Sequence, residues 1–314
     1  MVLVLAGPTG VGKSAIAVAL AERFGGEIIG ADSMQVYQRL DAGTAKPPPA
    51  LRERVAHHLI DCADPDRDYS AGDYVRDADK VIQAVTSRGR LPVVTGGTGL
   101  YLRALLRGLV TAPGRQPELR ARLNHIVAKR GVGPLRRILE RRDPDAARSI
   151  APADRQRLVR AVEVAFSGEV PLARLIGAHG FAEERYRAVR VGVDMPDEWL
   201  LPRLEGRVQD MLKEGCLQKE IEELLGSGLR ADANALRALG YREVLACKRK
   251  EFPAAELKER ILRNTRRYVK RQRTWFRKEP GFRWFRLSGD LAADLPPIET
   301  WVSNELDACS RVDE

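Results

Sequence analysis

A chain of 314 residues is long enough for one large α/β domain, alone or carrying a smaller one. At 44% hydrophobic and 31% charged it is too apolar for general disorder, and its four scattered cysteines, Cys62, Cys216, Cys247 and Cys309, argue against a disulfide framework or a cysteine zinc site. The net charge is +10, and +8 of it falls between Glu256 and Lys278, where ten Lys or Arg meet two Glu; such a density points to a polyanionic partner rather than a solvated helix face.

The opening "MVLVLAGPTG" enters a strand over Val2 to Ala6 at once, with no basic leader. No apolar run approaches the roughly 20 residues that span a bilayer. A soluble, cytoplasmic protein with no membrane partner is expected. After a glycine loop, "KSAIAVALAERF" places Ile16, Leu20 and Phe24 at helical spacing before Gly25-Gly26 end it. "GEIIGAD" predicts a second strand and "KPPPA" at 46–50 a stiff turn. "HHLID" alternates as a short strand, so His57-His58 with Asp61 and Cys62 reads as structural rather than as a metal cluster. Ser70 with Asp73 forms a capping box for a helix carrying Tyr74, Val75, Ala78, Val81, Ile82 and Val85 on one face, ended by Gly89. "LPVVT" makes a third strand running into "GGTGLYLRALL".

Strand, loop and helix in repetition predict an α/β fold: a P-loop NTPase-like parallel sheet with helices on both faces. Ligands in such folds gather beyond the carboxyl ends of the strands, so Gly7 to Ser14, Asp32-Ser33 and Gly96 to Thr98 should converge on one crevice. After Pro113 the chain turns Arg-rich and helical, in "ELRARLNHIVAKR", "PLRRILERR" and "DRQRLVRAVEVAF". Strand character returns with "YRAVRVGVDM" and a helix follows in "EWLLPRLEGRVQDML". The expected organisation is a first part of the core over 1–113, a mostly helical insertion over 114–187, completion of the core with basic C-terminal helices over 188–300, and a frayed tail over 301–314.

Gly7-Pro8-Thr9-Gly10-Val11-Gly12-Lys13-Ser14 fits G-x-x-x-x-G-K-[ST] between a strand and a helix. Glycines let backbone N–H groups crowd an anion at a helix N-terminus, Lys13 adds a point charge, and the Ser14 hydroxyl suits Mg²⁺. The pattern is specific for a di- or triphosphate and silent on which one. A triphosphatase should also end a strand in an acid that holds the metal and orients water. "LPVVTGGTG" has none, and the one candidate is Asp32. Arg203 and Arg207, one turn apart on a helix face, are candidates to clamp a phosphate from the other side; ion pairing with Glu205 or a neighbour is the alternative.

"GPTGVGKS", "ADSMQVY", "DAGTAKP", "GGTGLYLRAL", "DRQRLVRAVEV", "RLEGRVQDML", "ALGYREV" and "NTRRYVKRQRTWFR" occur in this order over nearly the whole chain. Together they resemble the bacterial tRNA dimethylallyltransferases (tRNA isopentenyltransferases). The resemblance implies transfer of the dimethylallyl group of dimethylallyl diphosphate to the exocyclic amine of the adenosine 3′ of the anticodon, with diphosphate released in a dissociative-type displacement. It implies that Thr9 through Ser14 hold the diphosphate with Mg²⁺, and that Asp32 is the general base; an aspartate capping the following turn is the alternative reading. An adenine amine is a poor nucleophile, and a carboxylate in reach can take its proton as the new bond forms. The base must be flipped out of its stack. Asp32, Ser33, Met34 and Gln35 would read it, with Gln35 on an adenine edge.

Thr98, Arg120 and the stretch Gln156-Arg157-Leu158-Val159-Arg160 match further tRNA-contacting positions, and the basic segment would grip the anticodon stem, with Trp275 and Phe276 as packing residues. An amphipathic helix with Leu158, Val159 and Val162 as core is the alternative reading of that stretch. Tyr241-Arg242 either face the site or start a helix. The zinc-finger extension of eukaryotic relatives has no counterpart, so a bacterial mode of gripping RNA, by a monomer, is expected. Three other readings stay open: a cytokinin-forming isopentenyltransferase acting on free nucleotides, a P-loop kinase or NTPase, and a non-catalytic RNA-binding protein.

Overall fold

Strand β1 (Val2–Ala6) is apolar at every position and fully buried, as a strand covered on both faces must be. A computed structural model describes residues 1–168, 170–181 and 183–311. Beside β1 lie β2 (Gly26–Gly30), β3 (His57–His58), β4 (Leu91–Gly96), β5 (Ala188–Asp194) and β6 (Arg283–Arg286), in the order β3-β2-β4-β1-β5-β6. Every pairing is parallel, so each connection crosses over a face, and helices fill both.

The strand alternation divides the core. Leu3 and Leu5 of β1 join Val191 and Val193 against the helices Lys13–Arg23 and Asp197–Leu212, through Ile16, Leu20, Leu200 and Leu204. Val2, Val4 and Ala6 point the other way, toward Tyr74, Ala78 and Ile82 of the helix Ala71–Ser87 and Leu102 and Leu105 of the helix Gly99–Arg107. The Ser70 side chain accepts from the Asp73 N–H and the Asp73 carboxylate accepts from the Ser70 N–H, so the capping box closes both ways. A third cluster, from Val36, Tyr37 and Leu40 to Leu217, Ile221, Tyr241 and Ile261, carries the later helices.

The chain folds into two compact units, residues 1–106 with 185–314, and 107–184. The second is built from the helices Pro117–Arg130, Gly133–Arg142, Pro144–Ser149, Arg155–Ser167 and Leu172–His179. Its own core holds Leu123, Val127, Leu135, Leu139, Leu158 and Val162.

One expectation is corrected. The helix Leu291–Ser310 runs through the segment expected to fray, and Ile298 and Val302 are fully buried against the first core layer. Spacing of i, i+4 gives the helix an apolar stripe that docks, and Pro296-Pro297 near its start do not prevent it. Residues 312–314 of that tail lie outside the described residues. Among the described residues no helix is long and apolar enough to cross a membrane.

Candidate active site

Beyond the carboxyl ends of β1, β2 and β4 lies a crevice with about 560 Å³ of open space, lined by Thr9 to Ser14 except Val11, by Asp32 to Gln35, by Thr95 to Gly97, and by Arg203 and Arg207. The three strand ends therefore meet in one place. Gly12 makes the loop possible: at φ 97° it is the left-handed N-cap of the helix Lys13–Arg23, a conformation in which a Cβ crowds the backbone.

Lys13 donates through Nζ to the Pro8 carbonyl at 2.7 Å. Burial pulls its ammonium down to about 8, partly offset by the Asp32 charge and deepened by Arg207. Arg207 donates to the Thr9 hydroxyl at 2.6 Å and to the Gly43 carbonyl at 3.3 Å, while its buried Nε has no partner among the described residues. Burial lowers its pKa too, opposed by Asp32. Two desolvated cations facing one crevice are costly without an anion between them. Glu205 pairs with Arg266 at 2.8 Å instead of with Arg203 or Arg207, so neither crevice arginine has an acid partner among the described residues. Thr9 departs from expectation: its N–H donates to Gln272 Oε1 at 3.0 Å. Its hydroxyl hydrogen is the one donor it can still offer a phosphate.

Asp32 lies two residues past β2. Its Oδ1 accepts from the N–H groups of Met34 (2.9 Å) and Gln35 (3.4 Å), capping the turn that follows. The second carboxylate oxygen takes no hydrogen bond among the described residues, so a capping role and a reactive role can coexist. Thr98 Oγ1 accepts from the Ser33 N–H at 3.0 Å, tying the β4 loop to this turn. Gln35 spends both amide hydrogens on the carbonyls of Thr44 (3.1 Å) and Ala45 (2.9 Å). Only its Oε1 remains for a base edge.

Several lining residues were missed from the sequence. Thr95, one residue before the end of β4, stands near where a triphosphatase would carry an acid, and its buried Oγ1 has no partner among the described residues. Thr265, Tyr268 and Gln272 line the crevice from the helix Leu257–Phe276. Burial raises the Tyr268 phenol, with the Asp32 charge adding and the Thr98 hydroxyl opposing. Their i, i+3, i+7 spacing, polar residues along the inward stripe of a basic helix, was the available signal. Tyr241 is fully buried, donates to Glu220 Oε1 at 2.5 Å and accepts from the Gly43 N–H at 3.1 Å, whereas Arg242 reaches the crevice. Phe276 is core, and Trp275 packs on the same cluster beneath the Arg103 guanidinium. His58 pairs with Glu27 at 2.7 Å, and Asp61 is taken by Lys46 and Arg52.

The predicted contacts in the second unit divide. Glu163 is fully buried there and accepts from Arg120 at 2.5 Å, Arg160 at 2.8 Å and the Gln116 N–H at 3.0 Å. Burial pushes its carboxyl up, but the hydrogen bonds from Arg160, Arg120 and the Gln116 N–H, with the Arg120 charge, together hold it below the usual range. Arg120 and Arg160 are thus engaged internally, because a buried carboxylate needs compensation. Leu158 and Val159 are core residues, so their side chains cannot meet RNA. Gln156 and Arg157 are exposed. Glu163→Ala, which strands two guanidinium groups, is expected to destabilise this unit by about 3 kcal/mol. Faster hydrogen exchange across 117–167 at unchanged exchange in the sheet would register it.

Residues 35–279 match the family described as IPP transferase, and residues 1–62 match isopentenyl transferase. The chain is 44% identical to the tRNA dimethylallyltransferase of Geobacter sulfurreducens over 282 residues, 90% of each. It is equally identical to tRNA dimethylallyltransferase 1 of Citrifermentans bemidjiense over 294 residues, 94% of each. Among solved structures, the full-length tRNA isopentenylpyrophosphate transferase of Bacillus halodurans aligns at a TM-score of 0.73 and 34% identity, covering 99% of this chain and 98% of that one. A eukaryotic dimethylallyltransferase acting on tRNA aligns at 0.77 and 27% identity, covering 98% and 79%.

Proposed function

The chain belongs to the IPP transferase family and is a tRNA-modifying prenyltransferase, and from that premise we propose that it moves the dimethylallyl group of dimethylallyl diphosphate onto the exocyclic amine of the adenosine 3′ of the anticodon. The observation that carries this reading is the meeting of Lys13, Arg207 and Asp32 in one crevice. The allylic carbon–oxygen bond breaks, and its electron pair leaves on the diphosphate. Lys13, Arg203, Arg207 and the loop N–H groups after Thr9 stabilise that growing charge. The adenine nitrogen bonds the allylic carbon, and Asp32, through the oxygen not engaged in capping, takes the amine proton.

Mg²⁺ suits the available donors, all of them hard oxygens: the Ser14 hydroxyl, with Asp32 and the Thr95 hydroxyl, which has no partner among the described residues, in the same crevice. Ser14 is the residue that would hold it; when bound, the ion neutralises part of the diphosphate charge.

The tRNA acceptor suits the basic helix. Of the ten cations between Glu256 and Lys278, Arg260, Arg266 and Arg273 are paired with acids. The other seven are exposed with no acidic partner among the described residues. Gln156 and Arg157 extend the proposed RNA contacts in the second unit. Affinity for the tRNA anticodon stem-loop is therefore expected to fall about 10³-fold between roughly 50 and 200 mM salt. Affinity for the donor should change far less; parallel salt slopes in filter binding and donor titration would remove the basic helix from the reading.

The test of the whole proposal is incubation with unmodified tRNA, Mg²⁺ and dimethylallyl diphosphate, followed by mass spectrometry of the nucleosides. One added dimethylallyl group on adenosine is expected. Transfer to AMP with tRNA untouched would favour the free-nucleotide enzymes instead.

A further inference from the structure

Gln272 sits on the inward face of the helix Leu257–Phe276 and is 5% exposed. Both ends of its carboxamide are engaged, and with different loops. Oε1 accepts from the Thr9 N–H at 3.0 Å, in the phosphate loop after β1. Nε2 donates to the Gly97 carbonyl at 2.9 Å, in the loop after β4. Donor and acceptor ends suit only this orientation of the amide. The seat is tight: a Cβ on Gly97 would come within 2.3 Å of Nε2.

The two loops have opposite tasks in the transfer. β1 and β4 are hydrogen-bonded neighbours whose last residues, Ala6 and Gly96, stand in register. The first leads to the diphosphate cradle. The second leads through Thr98 to Ser33 and so to the turn capped by Asp32. Sheet pairing stops at Ala6 and Gly96. Beyond it, Gln272 bonds both loops directly.

We propose that Gln272 is a positioning residue for prenyl transfer, setting the distance between the leaving diphosphate and the acceptor side by bridging Thr9 and Gly97. This rests on reading the crevice as the transfer site. It follows that the Thr9 N–H stays on Gln272 when the donor binds, and that the anion is held by the loop N–H groups further on. The bridge acts on alignment rather than on affinity, and an error of about 1 Å in placement costs roughly 100-fold in rate.

The experiment uses the full chain with unmodified tRNA and dimethylallyl diphosphate. Gln272→Met removes both bonds at similar volume; Gly97→Ala displaces the carboxamide while leaving Gln272 in place. Each is expected to lower single-turnover transfer at saturating substrates by about 100-fold, with KM for donor and tRNA within threefold of the parent. The double variant should be no slower than the worse single one, since both break one link. Additive losses, losses confined to KM, or losses matching the fraction of unfolded protein would overturn the proposal. A measurement without variants stands beside these: the Thr9 amide should resist hydrogen exchange with and without donor, and exchange at the rate of an open loop would equally overturn it. A parent enzyme that transfers nothing to tRNA would instead defeat the reading of the crevice.

Discussion

Asp32→Asn is expected to slow dimethylallyl transfer by about 10²- to 10⁴-fold at saturating substrates, the range of a positioned general base, while the donor and the tRNA still bind. Asparagine is chosen because the carboxylate has two separable duties. Its Oδ1 caps the Met34 and Gln35 N–H groups, and an amide oxygen can do the same. The other oxygen is replaced by an NH₂ group that cannot accept the amine proton. Asp32→Ala removes both duties, so it should add a rise in KM for tRNA as the Met34-Gln35 turn loosens. The difference between the two variants isolates the cap. Single-turnover rates within threefold of the parent for Asp32→Asn would assign the aspartate to the turn alone.

The parts of this site that could be read from the sequence share a property: their partners lie within a few residues. The glycine loop, the helix behind it and the Ser70–Asp73 box are of that kind, since a cap or an anion cradle is closed by adjacent backbone. Sheet order is less local, but runs such as "VLVLA" carry burial on two faces in their composition. What stayed illegible depends on distant partners. Strand β6, "RWFR", is an edge strand whose exposed arginines hide the pattern. Gln272 looks like one polar residue in a basic run until Thr9, 263 positions away, supplies its partner. Arg120 and Arg160 read as RNA contacts because nothing nearby in sequence announces that Glu163 is buried between them. Charge counts cannot separate a cation held by a buried acid from one left to a ligand.

Lys13 ties donor affinity to pH. In the free protein the ammonium is brought to about 8 by burial. A diphosphate beside it favours the charged form, so binding raises that value and takes up a proton whenever the solution lies above it. Donor affinity should be flat below about pH 7 and fall as pH rises through 8, by up to tenfold per unit. Asp32→Asn removes a charge that holds Lys13 up, so the fall should begin at lower pH. Arg207→Met removes one that holds it down, and the fall should begin higher. Lys13→Ala should lower kcat/KM for the donor by about 10²- to 10³-fold, as loss of one preorganised group facing a developing anion does. It should also abolish the pH dependence. Calorimetry in buffers of different ionisation enthalpy reads the proton uptake directly. Affinity that climbs with pH, or an unchanged profile in Lys13→Ala, would mean that Lys13 is not the charge that responds to the diphosphate.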